Sequence, residues 1–312
     1  TLDTPDVQVL SRVAALTLPP DLPADSMMHA PPEQIRWGDE WRAGVASFSH
    51  VHHLFLPRAA QAVAALWRKA SASRRVRNQV LFFAEQAIWG SSLLARYAPN
   101  HYSQVNRYMA GRLRTFSQHA ECSPWYLLEG KLGRLCSVFV KSPAQAGNCS
   151  VSTGDCSRML IPDDSVDYIF TDPPFGSNFA YAELNFLVEA FHRVFTSPSR
   201  EAIESEIQQK GRAIYQRLMR QCFTEYYRLL KPGRWMTVVF SNSSNAVWRA
   251  IQEALGAAGF IVADVRTLDK QQGTFNQVHG VSVKQDLVIS AYKPTEAVSK
   301  RFILGASSED AA

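Results

Sequence analysis

The chain has 312 residues, 46% of them apolar and 20% charged, enough for one large domain or two ordinary ones with a sizeable core. No apolar run approaches the ~18–20 residues of a bilayer span, and no secretory signal pattern opens the chain. A formal net charge of +5 and a pI near 9.0 suit a polyanionic partner without requiring one. Five cysteines with no CxxC spacing leave no readable disulfide framework or zinc ribbon and fit the reduced thiols of a cytoplasmic protein.

The first residue is Thr1 and not Met, as in a fragment of something longer. Residues 1–35 read as an extended connector, proline-rich over TLPPDLPADSMMHAPPEQI (17–35). Residues 36–145 read as a mainly helical region, either a DNA-gripping part or an insertion. Helical periodicity begins near Leu56 in LPRAAQAVAALWRKA and resumes across VRNQVLFFAEQAIWGSSLLARYA, with apolar positions at three- and four-residue spacing. RKASASRRVR between them reads as a polar helix–helix connection, and Pro99, Asn100 and His101 close the helical part. Residues 102–134 carry no clear pattern, and KSPAQAGN (141–148) reads as a boundary loop.

From Cys149 the pattern changes to short apolar runs alternating with helical segments. A strand near 150–153 is followed by the buried strand VDYIF, a helix from about Ala182 to Val194 and a long helix over 200–230. KPG (231–233) then stops that helix before the strand WMTVVF (235–240) and the helix AVWRAIQEALGAAG (246–259). FIVADVRTL and QDLVISAYK, joined by a loop with no helix, read as an antiparallel hairpin at one edge. The alternation predicts an α/β sheet, mostly parallel, over 146–295, with a disordered tail at 296–312.

TDPPFGSNFAYAEL (171–184) follows VDYIF directly. In open α/β sheets, ligands bind beyond the carboxyl ends of the strands. Proline has no N–H and a fixed φ, so Pro173 and Pro174 keep the strand exit rigid and aim carbonyls outward. The Asp172 carboxylate and the Pro173 carbonyl become a preorganised acceptor pair with Phe175 beside them. An exocyclic amino group on a nucleobase is a poor nucleophile because its lone pair is delocalised into the ring. Two acceptors on its N–H bonds localise charge on nitrogen and orient it. An aromatic ring stacks on the base, and a duplex base must first be extruded. The plain alternative is a rigid turn with Phe175 in the core; the apolar strand before it and the ring directly after it favour the site.

TDPPFG after VDYIF resembles the catalytic motif of S-adenosylmethionine-dependent amino-group DNA methyltransferases, adenine-N6 enzymes in particular. The blocks GDCSRMLIPDDSVDYIFTDPPFGSNFAYAELNFL, LLKPGRWMTVVFSNSS and VKQDLVISAYKP are similar in order and spacing to large bacterial and archaeal adenine-specific DNA methylases. GDEWRAG, FSHVHHLF and NRY (106–108) add a weaker likeness. The resemblance implies a Rossmann-like methyltransferase fold, S-adenosylmethionine as cofactor, DNA as partner, and transfer to adenine N6, with cytosine N4 the other amino target. It implies that Asp172 and Pro173 hold the amino group, that Pro174 stiffens the loop and that Phe175 stacks on the base. It puts Gly154 and Asp155 where such enzymes contact the adenosine, an ordinary Gly-Asp turn being the alternative. Asn178, Glu183 and Asn185 are candidates to line the pocket, or else caps and surface residues.

The family's FxGxG loop, which lets backbone approach the cofactor, has no counterpart among the sixteen glycines. The expectation is a missing N-terminal segment or a partner chain that completes the cofactor site. An RNA guanine-N2 methyltransferase and a non-catalytic nucleic-acid-binding subunit are the competing readings.

His50, His52 and His53 have no Cys or carboxylate at a familiar ligand spacing and are read as structural, with no metal expected. Lys69, Arg74, Arg75 and Arg77 either contact phosphate or form a solvated helix face. Arg107, Tyr108, Arg112 and Arg114 interleave aromatic and basic residues, as backbone contact with stacking requires. In the loop 273–285, Phe275, Gln277, Lys284 and Gln285 are candidates to face the nucleic acid or target base.

Overall fold

The computed structural model describes residues 3–27, 49–98, 102–105, 118–141, 149–177, 179–206, 208–240, 245–269 and 285–298. The chain forms two units, one of residues 1–150 with 181–196, the other of residues 151–180 with 197–312.

The first unit is helical. Helix α1 (Thr4–Ala14) occupies residues expected in the extended connector. Asp3 and Asp6 make a reciprocal capping box, with Asp6 N–H donating to Asp3 Oδ1 at 2.9 Å and Asp3 N–H to Asp6 Oδ2 at 3.2 Å, and this satisfies donors a free helix end leaves open. Helices α2 (Pro57–Ser71) and α3 (Arg77–Ser91) are the two that the periodicity predicts. In α2, Ala59, Ala60, Val63, Ala64, Trp67 and Ala70 are buried, the three- and four-residue spacing of one helix face. α3 stops at Ser91, short of the predicted end. Ser92 Oγ donates to the Trp89 carbonyl at 2.8 Å and accepts from Leu94 N–H at 3.3 Å, turning the chain into strand β1 (Ala95–Ala98), which pairs antiparallel with β2 (Tyr102–Val105). Helix α4 (Pro124–Lys141) lies where no clear pattern was read, and helix α5 (Tyr181–His192) is where predicted. Phe186, Leu187, Ala190 and Phe191 of α5 share a core with residues of α2 and α3.

The second unit is built on a four-stranded sheet. Its strands are β3 (Val166–Thr171), β4 (Leu230–Phe240), β5 (Ile261–Asp269) and β6 (Gln285–Tyr292), in spatial order β3-β4-β6-β5. β3 runs parallel to β4, while β6 is antiparallel to both β4 and β5. Three strands point one way and β6 opposes them, so one ladder is parallel and two are antiparallel; the sheet is mixed, where a mostly parallel one was expected. The predicted hairpin β5–β6 is present, with β5 at the edge and β6 inside.

Helices α6 (Arg212–Leu229) and α7 (Asn245–Ala257) supply this sheet's core. Tyr215, Met219 and Phe223 of α6 and Val247, Ile251 and Leu255 of α7 meet Met236, Val238, Phe240, Ile289 and Ala291. A fully buried side chain such as Phe223 contributes about 1.5–3 kcal/mol. α7 ends in a Schellman turn, with Phe260 N–H to the Leu255 carbonyl at 3.1 Å and Gly259 N–H to that of Gly256 at 3.0 Å. Gly259 has φ +99°, and a Cβ there would lie 3.1 Å from the Tyr227 ring, so glycine is required.

Three expectations for this half need correction. Residues 150–153 form no strand, and Val151 is 91% exposed. The long helix begins at Arg212 and not at 200. The buried Lys210 ammonium draws in the carbonyls of Pro198 and Glu201, and this compact turn replaces helix over 200–211. Finally, VDYIF is apolar but not buried. β3 has β4 as its one neighbour among the described residues, and Tyr168 and Phe170 are 53% and 65% exposed.

Candidate functional site

The proline pair begins where β3 ends. Thr171 is the last strand residue, in register with Val238 of β4, and Asp172 follows, exposed. Pro173 is buried, while Pro174 and Phe175 are half-buried. α6 holds this exit from beneath, because the hydroxyl of the fully buried Tyr215 donates to the Pro174 carbonyl at 2.8 Å. The Phe175 ring meets Phe240 edge-to-face, with centroids 5.3 Å apart. Gly176 has φ +70°, the left-handed region that favours glycine, and its carbonyl accepts the Glu204 N–H at 3.1 Å. These hydrogen bonds and the ring contact help fix a loop that begins at the exposed Asp172.

Asp155 sits in the same unit but is already engaged. Its Oδ1 accepts Ser157 N–H at 2.9 Å and Ser157 Oγ–H at 2.7 Å, and its Oδ2 accepts Arg200 Nη1–H at 2.6 Å. The Ser157 hydrogen bond, seconded by Arg200, holds the carboxyl below its ordinary range. A Cβ at Gly154 would meet nothing within 4 Å, so no close approach demands glycine there. Below this loop, burial pushes the Cys222 thiol up to about 12, which makes it unreactive. Burial also raises the Tyr226 phenol, whose hydroxyl is hydrogen-bonded to Thr171 and Cys156.

The remaining candidates fall in different places. Glu183 (half-buried) and Asn185 (exposed) lie on α5, in the helical unit. Arg74 and Arg75 are exposed between α2 and α3, Arg77 is exposed at the first position of α3, and Arg77 Nε donates to the Ser71 carbonyl at 3.3 Å. Asn178, Phe275, Gln277, Lys284, Arg107, Tyr108, Arg112 and Arg114 lie outside the described residues. Sequence reasoning missed Tyr215, Glu204 and Arg200. Tyr215 was readable as one of an apolar stripe with Met219 and Phe223, but nothing local marks its hydroxyl partner.

His50, His52 and His53 pack ring against ring at 4.3–5.5 Å. No group of three or more His, Cys, Asp or Glu among the described residues is placed to hold a metal. Burial, then the neighbouring imidazoles, lowers His53 to about 4, and His52 is lowered in the same way. The unfolded chain protonates His53 near pH 6.5 and the folded one only near 4, so its contribution to stability is present above 6.5 and falls as pH drops through that window. Urea midpoints at pH 7 and pH 5 are expected to fall for the wild type and to fall less for His53→Gln.

No helix among the described residues is long and apolar enough to cross a membrane. Residues 166–310 match a family described as DNA methylase. No curated protein matches. Among solved structures, the chain is similar to a putative DNA modification methylase from Thermus thermophilus, at 17% identity and TM-score 0.28, over 46% of this chain and 51% of that one. A structure of that methylase complexed with S-adenosyl-L-methionine matches at 15% identity and TM-score 0.27, over 46% and 52%. The M1.HpyAVI–SAM complex matches at 18% identity and TM-score 0.23, over 42% and 45%. The chain spans about half the length of the solved structures it matches.

Proposed function

We propose, from the match of residues 166–310 to the DNA methylase family, that this chain is the acceptor half of a cytoplasmic enzyme that methylates adenine N6 in DNA, on an extruded base. The observation that carries the reading is the rigid exit of β3, where Asp172 stands exposed beside a proline pair tied to α6. Asp172 accepts one N–H of the target amino group and the Pro173 carbonyl accepts the other. Charge held on nitrogen by these acceptors favours the tetrahedral geometry of the attacking atom. Phe175, anchored by Phe240, offers its ring to the base, and Asn178, Phe275, Gln277 and Lys284 are assigned to the pocket around it. Glu183 and Asn185 are assigned to the substrate as well, and Arg74, Arg75, Arg77, Arg107 and Arg112 to the DNA backbone. S-adenosylmethionine, the family's cofactor, supplies an electrophilic methyl on a sulfonium when bound.

The donor side is assigned to a polypeptide that adjoins the open edge of β3, supported by the exposure of Tyr168 and Phe170 on that strand. The test is methyl transfer by the full chain from labelled S-adenosylmethionine to duplex DNA and to tRNA, followed by nucleoside analysis. Label on N6-methyladenine is expected. Label on N4-methylcytosine alone would move the target, and label on tRNA alone would remove the DNA reading. Calorimetry with S-adenosylmethionine, on this chain and on one extended with its native upstream residues, tests the donor side; no heat from either overturns the enzyme reading.

A further inference from the structure

The solvent face of α6 opposite the catalytic loop borders a pocket of about 710 Å³, lined among others by Arg158, Arg200, Arg217, Arg220, Gln221 and Thr224. Positions 217, 220, 221 and 224 fall on one stripe of a helix, with Cβ atoms about 5–6 Å apart. The two carboxylates of the lining are spent internally. Asp155 is held by Ser157 and by Arg200 at 2.6 Å. Glu225 is held by Arg228 Nη2 at 2.6 Å and by the Met159 N–H at 2.6 Å. Arg158, Arg217 and Arg220 are exposed and make no salt bridge among the described residues, although the Arg158 charge also helps hold Glu225 ionised. What remains is three guanidinium forks around one recess, with hydroxyl and amide donors between them.

We propose that Arg158, Arg217 and Arg220 seat successive phosphodiesters of a nucleic-acid strand. Guanidinium presents paired donors that match phosphate oxygens two at a time, and the spacing along α6 is close to that of neighbouring phosphates on one strand. The same helix grips the catalytic loop from its other face, through Tyr215 and the Pro174 carbonyl. The seat and the loop thus share one helix as their support. The seat rests on the DNA-methylase reading only for the identity of the strand, since phosphate contacts carry no sequence information.

The test is binding of the full chain to a fluorescein-labelled duplex of about 20 base pairs across about 50–200 mM KCl. Each lost phosphate contact lowers the slope of log Kobs against log[KCl] by about 0.9. The triple variant R158Q/R217Q/R220Q is expected to lose about 2–3 units of slope, while R158K/R217K/R220K keeps most of it. A control triple, R12Q/R134Q/R249Q, removes the same charge elsewhere and is expected to lose less than about one unit. Equal losses in the two Gln triples, an unchanged slope in the first, or no duplex binding by the wild type would each overturn the seat. So would capture of an oligo-glutamate with the same dependence on the three arginines, which would assign the pocket to an acidic polypeptide. Methyl transfer is measured separately, so loss of the seat leaves the methylase reading standing, and loss of methyl transfer leaves the salt slope to be judged alone.

Discussion

Asp172→Ala is expected to lower methyl transfer by about 10²–10³-fold, the effect of removing one preorganised partner of a reacting group. Two readouts should not move with it. Asp172 is exposed at the strand exit, so the denaturation midpoint should stay close to wild type. Duplex affinity, dominated by phosphate contacts, should stay within about twofold. Asp172→Asn keeps an acceptor oxygen without the charge, and an intermediate rate is expected. A variant that transfers methyl at the wild-type rate would remove Asp172 from the reaction. One that loses rate and stability together would make its role structural.

The largest expected loss of stability is at Lys293, whose side chain is 9% exposed. Its ammonium donates to Asp164 Oδ1 at 2.6 Å and to the carbonyls of Tyr227 and Leu230, both at 2.7 Å, and lies 4.6 Å from the Tyr227 ring centroid. Those two carbonyls belong to the C-terminal end of α6, where a cation also meets the negative end of the helix dipole. Asp164 adopts φ 49° two residues before β3, so the same ammonium fixes the entry to the strand that leads into the Asp172 loop. Lys293→Met keeps the stem and removes the charge, leaving two buried acceptors unsatisfied. A loss of about 2–4 kcal/mol is expected, read as a lower urea midpoint with unchanged denaturant dependence. A change below about 0.5 kcal/mol would mean that water replaces the ammonium at those carbonyls.

The strands β3 to β6 and the strand exit at Asp-Pro-Pro were legible because their signals are local. VDYIF, WMTVVF and QDLVISAYK are apolar runs bounded by turn residues, and Asp-Pro-Pro is chemistry written in consecutive positions. α1 was equally local, but its Asp3/Asp6 capping box was masked by the proline-rich stretch that follows. Long-range pairing was not legible. Arg200 reaches Asp155 across 45 positions, and Tyr215 reaches Pro174 across 41, with nothing in either neighbourhood to name the partner. The exposure of β3 was hidden for a related reason. An apolar strand reads alike whether one neighbour or two flank it, and only the strand order tells which.

That strand order also dictates when the sheet can close. β6 is the last of the four strands in the chain, yet it lies between β4 and β5 and supplies both with their partner. Until residues 285–292 have emerged from the ribosome, β4 has only β3 beside it and β5 has no partner among the described strands. Pairings so distant in sequence are slow to form, and open strand edges invite intermolecular association meanwhile. Assembly of this unit thus waits for β6, and a nascent chain arrested after β5 is expected to be caught by chaperones or to aggregate.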